Sequence, residues 1–593
     1  MRPARFIVLP MTCRLRRFVS FRDHTHASMM AHAGMPFAVL VGLLGVAILC
    51  VAGCGSLGSR DEAESEKNLN RLLTPPEPPD LVREAAISQG LSSIKVDAVA
   101  MVNGLAGTGG APGPSAFRDM LLQEMKVNNI ANPDALLEQT DTALVQVQGL
   151  IPPGARRGDW IDVQVLTDPN TSTTDLHGGW LLDTRLRHQQ ILSGSLRSSD
   201  VLAIATGPII TRADYDPTDD DTLPVQGLLL AGAIVQQDRK LGLILRPDYQ
   251  HVKTANLISK AINRRFYFFD GASRRGIANA LEDDFIELDV PPRYRGVEHR
   301  LMEVIQRLTL APESSSTQAR LTRLGEQLRD PQSAFDAALQ LEAFGETGVP
   351  TLKSALESTN AEVRFYAAEA LAYLDQREAI EPLIHAIRNE PAFRGPAMLA
   401  LSRLKHLTVE DALASLFDHP SLETRYGAFV ALRRRSTRDR SVGRVRADRI
   451  GGVQGESLRD QFRIYEVPSD APPAVVASLR DVPEIVLFGD TNALQLPRPL
   501  LGPAGWILRE ESDADGIRIA RFQANMSDVR SRCDSDLPDL LRAITDIGGG
   551  YSDALALLLA LKSADAFQDQ FAIDPLPESG RTYLREDTPE PSS

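Results

Sequence analysis

TALVQVQGLIPPGARRGDWIDVQVL (residues 142–166), followed after a short polar loop by DLHGGWLLDTRL (175–186), sets the architecture expected of this chain. Leu144, Val145, Val147 and Leu150 mix alternation with a short apolar run, as half-buried strands do. Pro152-Pro153-Gly154 stops that strand and fixes a turn. Gly158-Asp159 restarts the next strand, and Gly178-Gly179 permits backbone angles that a Cβ would forbid. All of these are scaffold roles.

Working outward, short strands broken by Gly and Pro recur at 95–102, 201–207 and 241–247. One helix is clear at 253–266, where Ala255, Leu257, Ile258, Ala261 and Ile262 repeat at helical spacing. The reading is α+β. The turn VNGLAGTGG (102–110) lacks the Gly-Lys-Ser/Thr ending of a phosphate loop. It also lacks a GxGxxG set between strand and helix, so Gly104, Gly107 and Gly109 read as a structural turn.

Six segments in this order resemble the bacterial flagellar P-ring protein family: 102–110, 142–166, 175–186, 203–208, 232–235 and 246–249. The resemblance includes the pattern Arg-x-Gly-x-x-Ile-Asp-Val, which brings Asp162 into the motif beside Pro152, Pro153, Gly158, Gly178 and Gly179. It implies a non-enzymatic structural subunit of a ring around the flagellar rod, in the periplasm, supporting motility. The implied partners are further copies of itself, the rod and other basal-body ring proteins, with peptidoglycan as a further contact.

Between 330 and 435 the pattern changes. RFYAAEAL (364–371), RGPAMLAL (394–401) and RYGAFVAL (425–432) share Arg-x-x-Ala-x-x-Ala-Leu, and Ala337, Ala338 and Leu341 form a worn earlier copy. These resemble short HEAT-like repeats, in which paired Ala residues let helices approach and Leu fills the seam. Such stacks offer a concave surface, so the segment is the expected partner contact. The repeated Arg364, Arg394 and Arg425 read either as bonds to a neighbouring turn or as contacts to that partner. An Arg-rich strip, 433–449, reads as a solvated linker or as a basic surface for an anionic neighbour.

Further strands are expected at 462–467, 484–489 and 516–522, and then two helices, 537–547 and 552 to about 571, around Gly548-Gly549-Gly550. Ser552 is the expected N-cap, with Asp553 at the positive helix end. Residues 540–573 are similar to the C-terminal end of the same family. The organisation read from the sequence is therefore a signal peptide of lipoprotein type (1–53) and an acidic, Pro-rich linker (54–80). A P-ring-like α+β domain (81–292), a helical connector (293–329) and a short α-solenoid (330–435) follow. A basic linker with a second β-rich segment (436–536), a C-terminal helix pair (537–575) and a tail (576–593) complete it.

The address lies at the N-terminus. Residues 37–51 form a 15-residue run without a charge, short for a membrane span but right for the apolar core of a signal peptide. Val51-Ala52-Gly53-Cys54 looks like a lipobox, so Cys54 is the expected lipidation site and the link to a membrane; a plain signal peptide and an uncleaved anchor are the alternatives. The chain carries a net charge of −14, which becomes −19 once 1–53, with six Arg and one acid, is set aside. That acidity argues against nucleic acid as a partner. Four Cys make no disulfide framework or zinc spacing. His177, beside Asp175 and near Asp168, is the one conceivable catalytic constellation, yet no nucleophile motif accompanies it. Catalytic residues, cofactors and metals are not expected.

Overall fold

The computed structural model describes residues 75–583 apart from 128, 193–194, 219, 272, 311–315, 437–448, 451–452, 459–460, 497, 512–515, 523–526, 579 and 582. The signal peptide, Cys54, the first part of the linker, most of the Arg-rich strip and the end of the tail lie outside the described residues. Among the described residues no helix is long and apolar enough to cross a membrane.

A short helix α1 (Val82–Ala85) leads into β1 (Ala86–Gln89) and then into a barrel. Its strands are β2 (Ile94–Asn103), β3 (Ala143–Ile151), β4 (Trp160–Thr167), β5 (Trp180–Leu192), β6 (Ser195–Pro208), β7 (Ile210–Thr211) and β8 (Gln226–Val235). They pair in the order β4-β3-β2-β5-β6-β8-β7, and β8 pairs back onto β4, closing the sheet on itself. Closure leaves no edge among its main strands. Val145, Val147, Val163, Val165, Leu181 and Leu186 fill the interior, while Leu150, Trp160 and Trp180 face outward. Helices α2 (Ala116–Val127) and α3 (Pro133–Leu137) cover Val99 and Leu144 on the outside.

Beside the barrel, β1 joins β9 (Leu241–Leu245), β13 (Phe285–Leu288) and β12 (Ala278–Ala280) in a second sheet, with β10 (Tyr267–Asp270) and β11 (Ser273–Gly276) as a separate hairpin. Helix α4 (Val252–Arg265) packs Ala255, Ile258 and Ile262 into the adjoining core, as the spacing predicts. Helix α5 (Glu298–Gln306) follows.

Then come four helix pairs: α6 (Ser316–Arg329) with α7 (Ala334–Phe344), α8 (Val349–Ala355) with α9 (Ala361–Tyr373), α10 (Ile380–Asn389) with α11 (Arg394–Arg403), and α12 (Thr408–Ala414) with α13 (Leu422–Ser436). The repeated Ala and Leu of the sequence pattern are buried in the second helix of every pair. A buried ion pair joins this stack to α5. Arg300 meets Glu342 at 2.7 Å and Glu369 at 2.7 Å, and the Tyr294 hydroxyl donates to Glu342 at 2.7 Å.

The second β region divides in two. One sheet runs β14 (Arg449–Ile450), β15 (Val453–Leu458), β16 (Phe462–Val467), β18 (Glu484–Phe488), β17 (Ala474–Ala477) and β23 (Gln570–Ile573). The other is a meander of β19 (Leu500–Leu501), β20 (Trp506–Glu510), β21 (Ile517–Arg521) and β22 (Val529–Cys533). The first sheet is covered on both faces: Tyr465, Val467, Val486 and Phe488 point into the core shared with the solenoid, and Phe462, Ile464, Ile485 and Leu487 into the core around the closing helices. Those helices are α14 (Leu537–Asp546) and α15 (Tyr551–Ser563).

Two details differ from the sequence reading. The last helix ends at Ser563, not near 571, because Asp565 takes a left-handed turn (φ 50°) and β23 then pairs in parallel with the free edge of β17. Its N-cap is Gly550, whose amide donates to Asp553 at 2.8 Å, and Ser552 turns instead toward the barrel.

Candidate functional site

The residues singled out around the barrel turns are backbone organisers. Gly104 and Gly107 shape the Gly-rich turn, and the amides of Leu105, Gly109 and Gly110 donate to the carbonyls of Asp141 (3.1 Å), Thr140 (2.8 Å) and Thr142 (3.1 Å). Those amides are spent within the fold rather than turned out to cradle an anion. A Cβ at Gly109 would collide with the Thr142 carbonyl, so the close approach requires Gly. Pro152 and Pro153 end β3, and the Gly158 amide donates to Val235 at 2.8 Å to restart pairing. Gly178 sits at φ 73°, which turns the chain into β5 beside Gly179.

Two motif residues do more than shape turns. Asp162, on β4, accepts from the Ala231 amide at 2.6 Å and from the Asp481 amide at 3.1 Å, linking barrel to second β region. His177 sits in the turn before β5, and its ring reaches two carboxylates. Nδ1 lies 2.7 Å from Asp214, and Nε2 lies 3.2 Å from Asp553 on α15. Asp553 also accepts from Trp506 Nε1 at 2.7 Å and lies 3.3 Å from Arg521, whose guanidinium stacks over the Trp506 ring. Ser552 Oγ donates to Asp214, which also accepts from the Thr211 amide at 2.7 Å. One end of α15 is thereby bolted to the barrel.

Burial works against charging His177, but the bonds to Asp214 and Asp553 outweigh it and raise its pKa from 6.5 to about 10. Burial likewise opposes ionisation of Asp553, yet His177 and Arg521 hold it below the usual carboxylate range. The cluster holds a Ser, a His and an Asp, so it needs testing as a nucleophilic triad. A triad places the nucleophile on one imidazole nitrogen and the orienting acid on the other, with the ring neutral enough to take a proton. Here Ser552 (3.3 Å) and Asp214 crowd the same nitrogen, a second carboxylate occupies Nε2, and both carboxylates favour the charged ring over one free to take a proton. The geometry builds a clamp.

The acids near His177 in the sequence are not the ones its ring reaches. The Asp175 carboxylate accepts from the His177 backbone amide at 2.8 Å rather than meeting its ring, and Asp168 caps the Asn170 amide at 2.9 Å. Asp214, Trp506, Arg521 and Asp553 carried no signal in the sequence that would join them to His177, since Asp214 lies 37 residues away and Asp553 lies 376.

The three repeat arginines are spread along the solenoid. Arg364 donates to the carbonyls of Ser358 (2.6 Å) and Thr359 (2.7 Å), and Arg394 to that of Ile387 (3.1 Å). Arg425 donates to the Pro472 carbonyl at 2.8 Å and is 1% exposed, so it is not offered to a partner. Each secures a neighbouring segment of its own chain. Cys533 is half-buried on β22, and burial together with Asp539, Asp536 and Asp534 pushes its thiol up to about 12.

Comparison with known proteins bears directly on the barrel and the sheet beside it. Residues 82–321 match the flagellar P-ring protein family. The P-ring-like region thus runs from α1 into α6 and takes in β1 to β13, the barrel included. Among similar proteins, the flagellar P-ring protein of Thermotoga maritima is 26% identical over 244 residues, covering 39% of this chain and 67% of that protein. That of Nitrobacter hamburgensis is 24% identical over 257 residues, 41% of this chain and 64% of its relative. The P-ring protein of Campylobacter lari is 25% identical over 239 residues. Residues 321–402 match HEAT repeats, in agreement with the helix pairs. The P-ring match ends at 321, so the likeness of 540–573 to that family's C-terminal end lies beyond it.

Proposed function

We propose that this protein is a structural subunit of a P-ring-like assembly around the flagellar rod, exported to the periplasm and supporting motility. The match of residues 82–321 to the P-ring family carries this reading. The clamp at His177 supports it, because a ring subunit under load needs a body that does not hinge, and Asp553 ties the barrel to a helix from the far end of the chain. Assembly proceeds by one surface meeting a different surface on the next copy, closed by rotation. The rod and neighbouring rings are its partners, with peptidoglycan around it, and no catalytic step is required.

Immunogold electron microscopy of purified basal bodies tests this. Label on the ring around the rod is expected. Label in the envelope with none on basal bodies would leave the second reading, a lipid-anchored scaffold acting through its helix pairs. The HEAT-repeat match outside the P-ring range is the observation that favours that alternative. Anchorage is proposed at Cys54: Cys54→Ser should abolish incorporation of labelled fatty acid, and retained label would refute the lipobox.

A further inference from the structure

After β23 the chain leaves the sheet and runs across the solenoid. Leu576 packs against its core, and Pro577 lies over Gly395 and Gly427, two positions where the helices carry no side chain. Arg581 makes a paired contact with Glu423, Nη1 to Oε1 at 2.8 Å and Nη2 to Oε2 at 2.9 Å. Tyr583 stacks on Phe393 with centroids 4.9 Å apart, and Phe393 stacks on Phe365 at 4.2 Å. Tyr583 itself lines a cavity of about 600 Å3, together with Phe335, Tyr366, Phe393, Glu369 and Arg300. These features are those of a peptide site: small residues under the backbone, a fork-to-fork ion pair that fixes register, and an aromatic shelf for one ring.

We propose that this groove is the seat for the C-terminal tail of a second copy, so that adjacent subunits in the assembly exchange tails. The proposal rests on the ring reading above. Its occupant follows from what is seen: the chain's own tail fits the groove, and a neighbour's identical tail makes identical contacts. Among the described residues of 574–583 no helix or strand continues past Ile573, so exchange disrupts no regular element. Arg-x-Tyr, as Arg581 and Tyr583, is the pattern the groove reads.

Two measurements test it. The first titrates a fluorescent peptide of residues 576–593 into the chain truncated after Pro575. Saturable binding is expected, weakened at least about tenfold by Glu423→Arg in the chain and restored when the peptide carries Arg581→Glu. Should the truncated chain not fold, full-length Arg581→Glu serves as receptor, since Glu423 repels its own tail. No binding, or binding indifferent to the charge swap, overturns the groove. The second mixes full-length Arg581→Glu with full-length Glu423→Arg and follows association by sedimentation. Each variant alone should associate less than wild type, and the mixture should recover it, because only exchange between copies restores the opposite charges. Recovery no better than either variant alone places the tail within its own chain and overturns the exchange. A wild-type chain that stays monomeric sinks the ring reading and the exchange together, while the peptide titration still reads the groove separately.

Discussion

The two buried carboxylates beside His177 favour its charged form, and its pH behaviour follows from that. It binds its proton more tightly folded than unfolded, so its stabilising share is whole below about 6.5 and is lost as the pH climbs through about 10. Thermal unfolding followed between pH 7 and pH 10.5 should show a falling midpoint in wild type and a much flatter one in His177→Gln. At pH 7 the same substitution should cost about 3–5 kcal/mol, because it leaves Asp214 and Asp553 facing each other without the charge between them. A midpoint within a degree of wild type at pH 7 would remove the clamp. The turns at Pro152-Pro153, Gly158 and Gly178 were legible in the sequence, since φ preference and the missing amide of proline act locally. The clamp was not legible. A carboxylate at the start of a helix reads as an ordinary cap, and only the folded chain carries Asp553 to the barrel turn.

Among the elements, the second helix of each pair is the one most exposed to test. Ala367, Ala368, Ala370 and Leu371 of α9 are fully buried, pressed between neighbouring pairs. Ala368→Leu should force the pairs apart and destabilise the chain by about 1–3 kcal/mol, read as a lower urea midpoint with an unchanged slope. A neutral result would mean that the stack is loose there. These helices could be read because their Ala-Leu pattern recurs at a nearly constant interval. The arginines at the head of the pattern left two readings open, and in the folded chain Arg364, Arg394 and Arg425 each donate to a carbonyl of a neighbouring segment. The start of β23 was misread as the end of a helix because the apolar residues before it continue a helical period. What makes 570–573 a strand is the open edge of β17, which no local pattern announces.

For the whole molecule, the central claim is that the P-ring-like barrel and the closing helices, far apart in the chain, behave as one block. Three contacts carry it: His177 with Asp553, Ser552 with Asp214, and Ile210 packed in the core around α14 and α15. The α+β class and the helical stack came from pattern. The likeness of both ends to one family was read from resemblance, and what joins them is a set of long-range bonds that only the folded chain displays. Hydrogen exchange with mass spectrometry on the full chain tests this most directly. Peptides from β5 and from α15 should exchange together through one slow opening, and His177→Gln should speed both. Fast exchange of α15 on its own, unchanged by His177→Gln while β5 stays protected, would contradict the account.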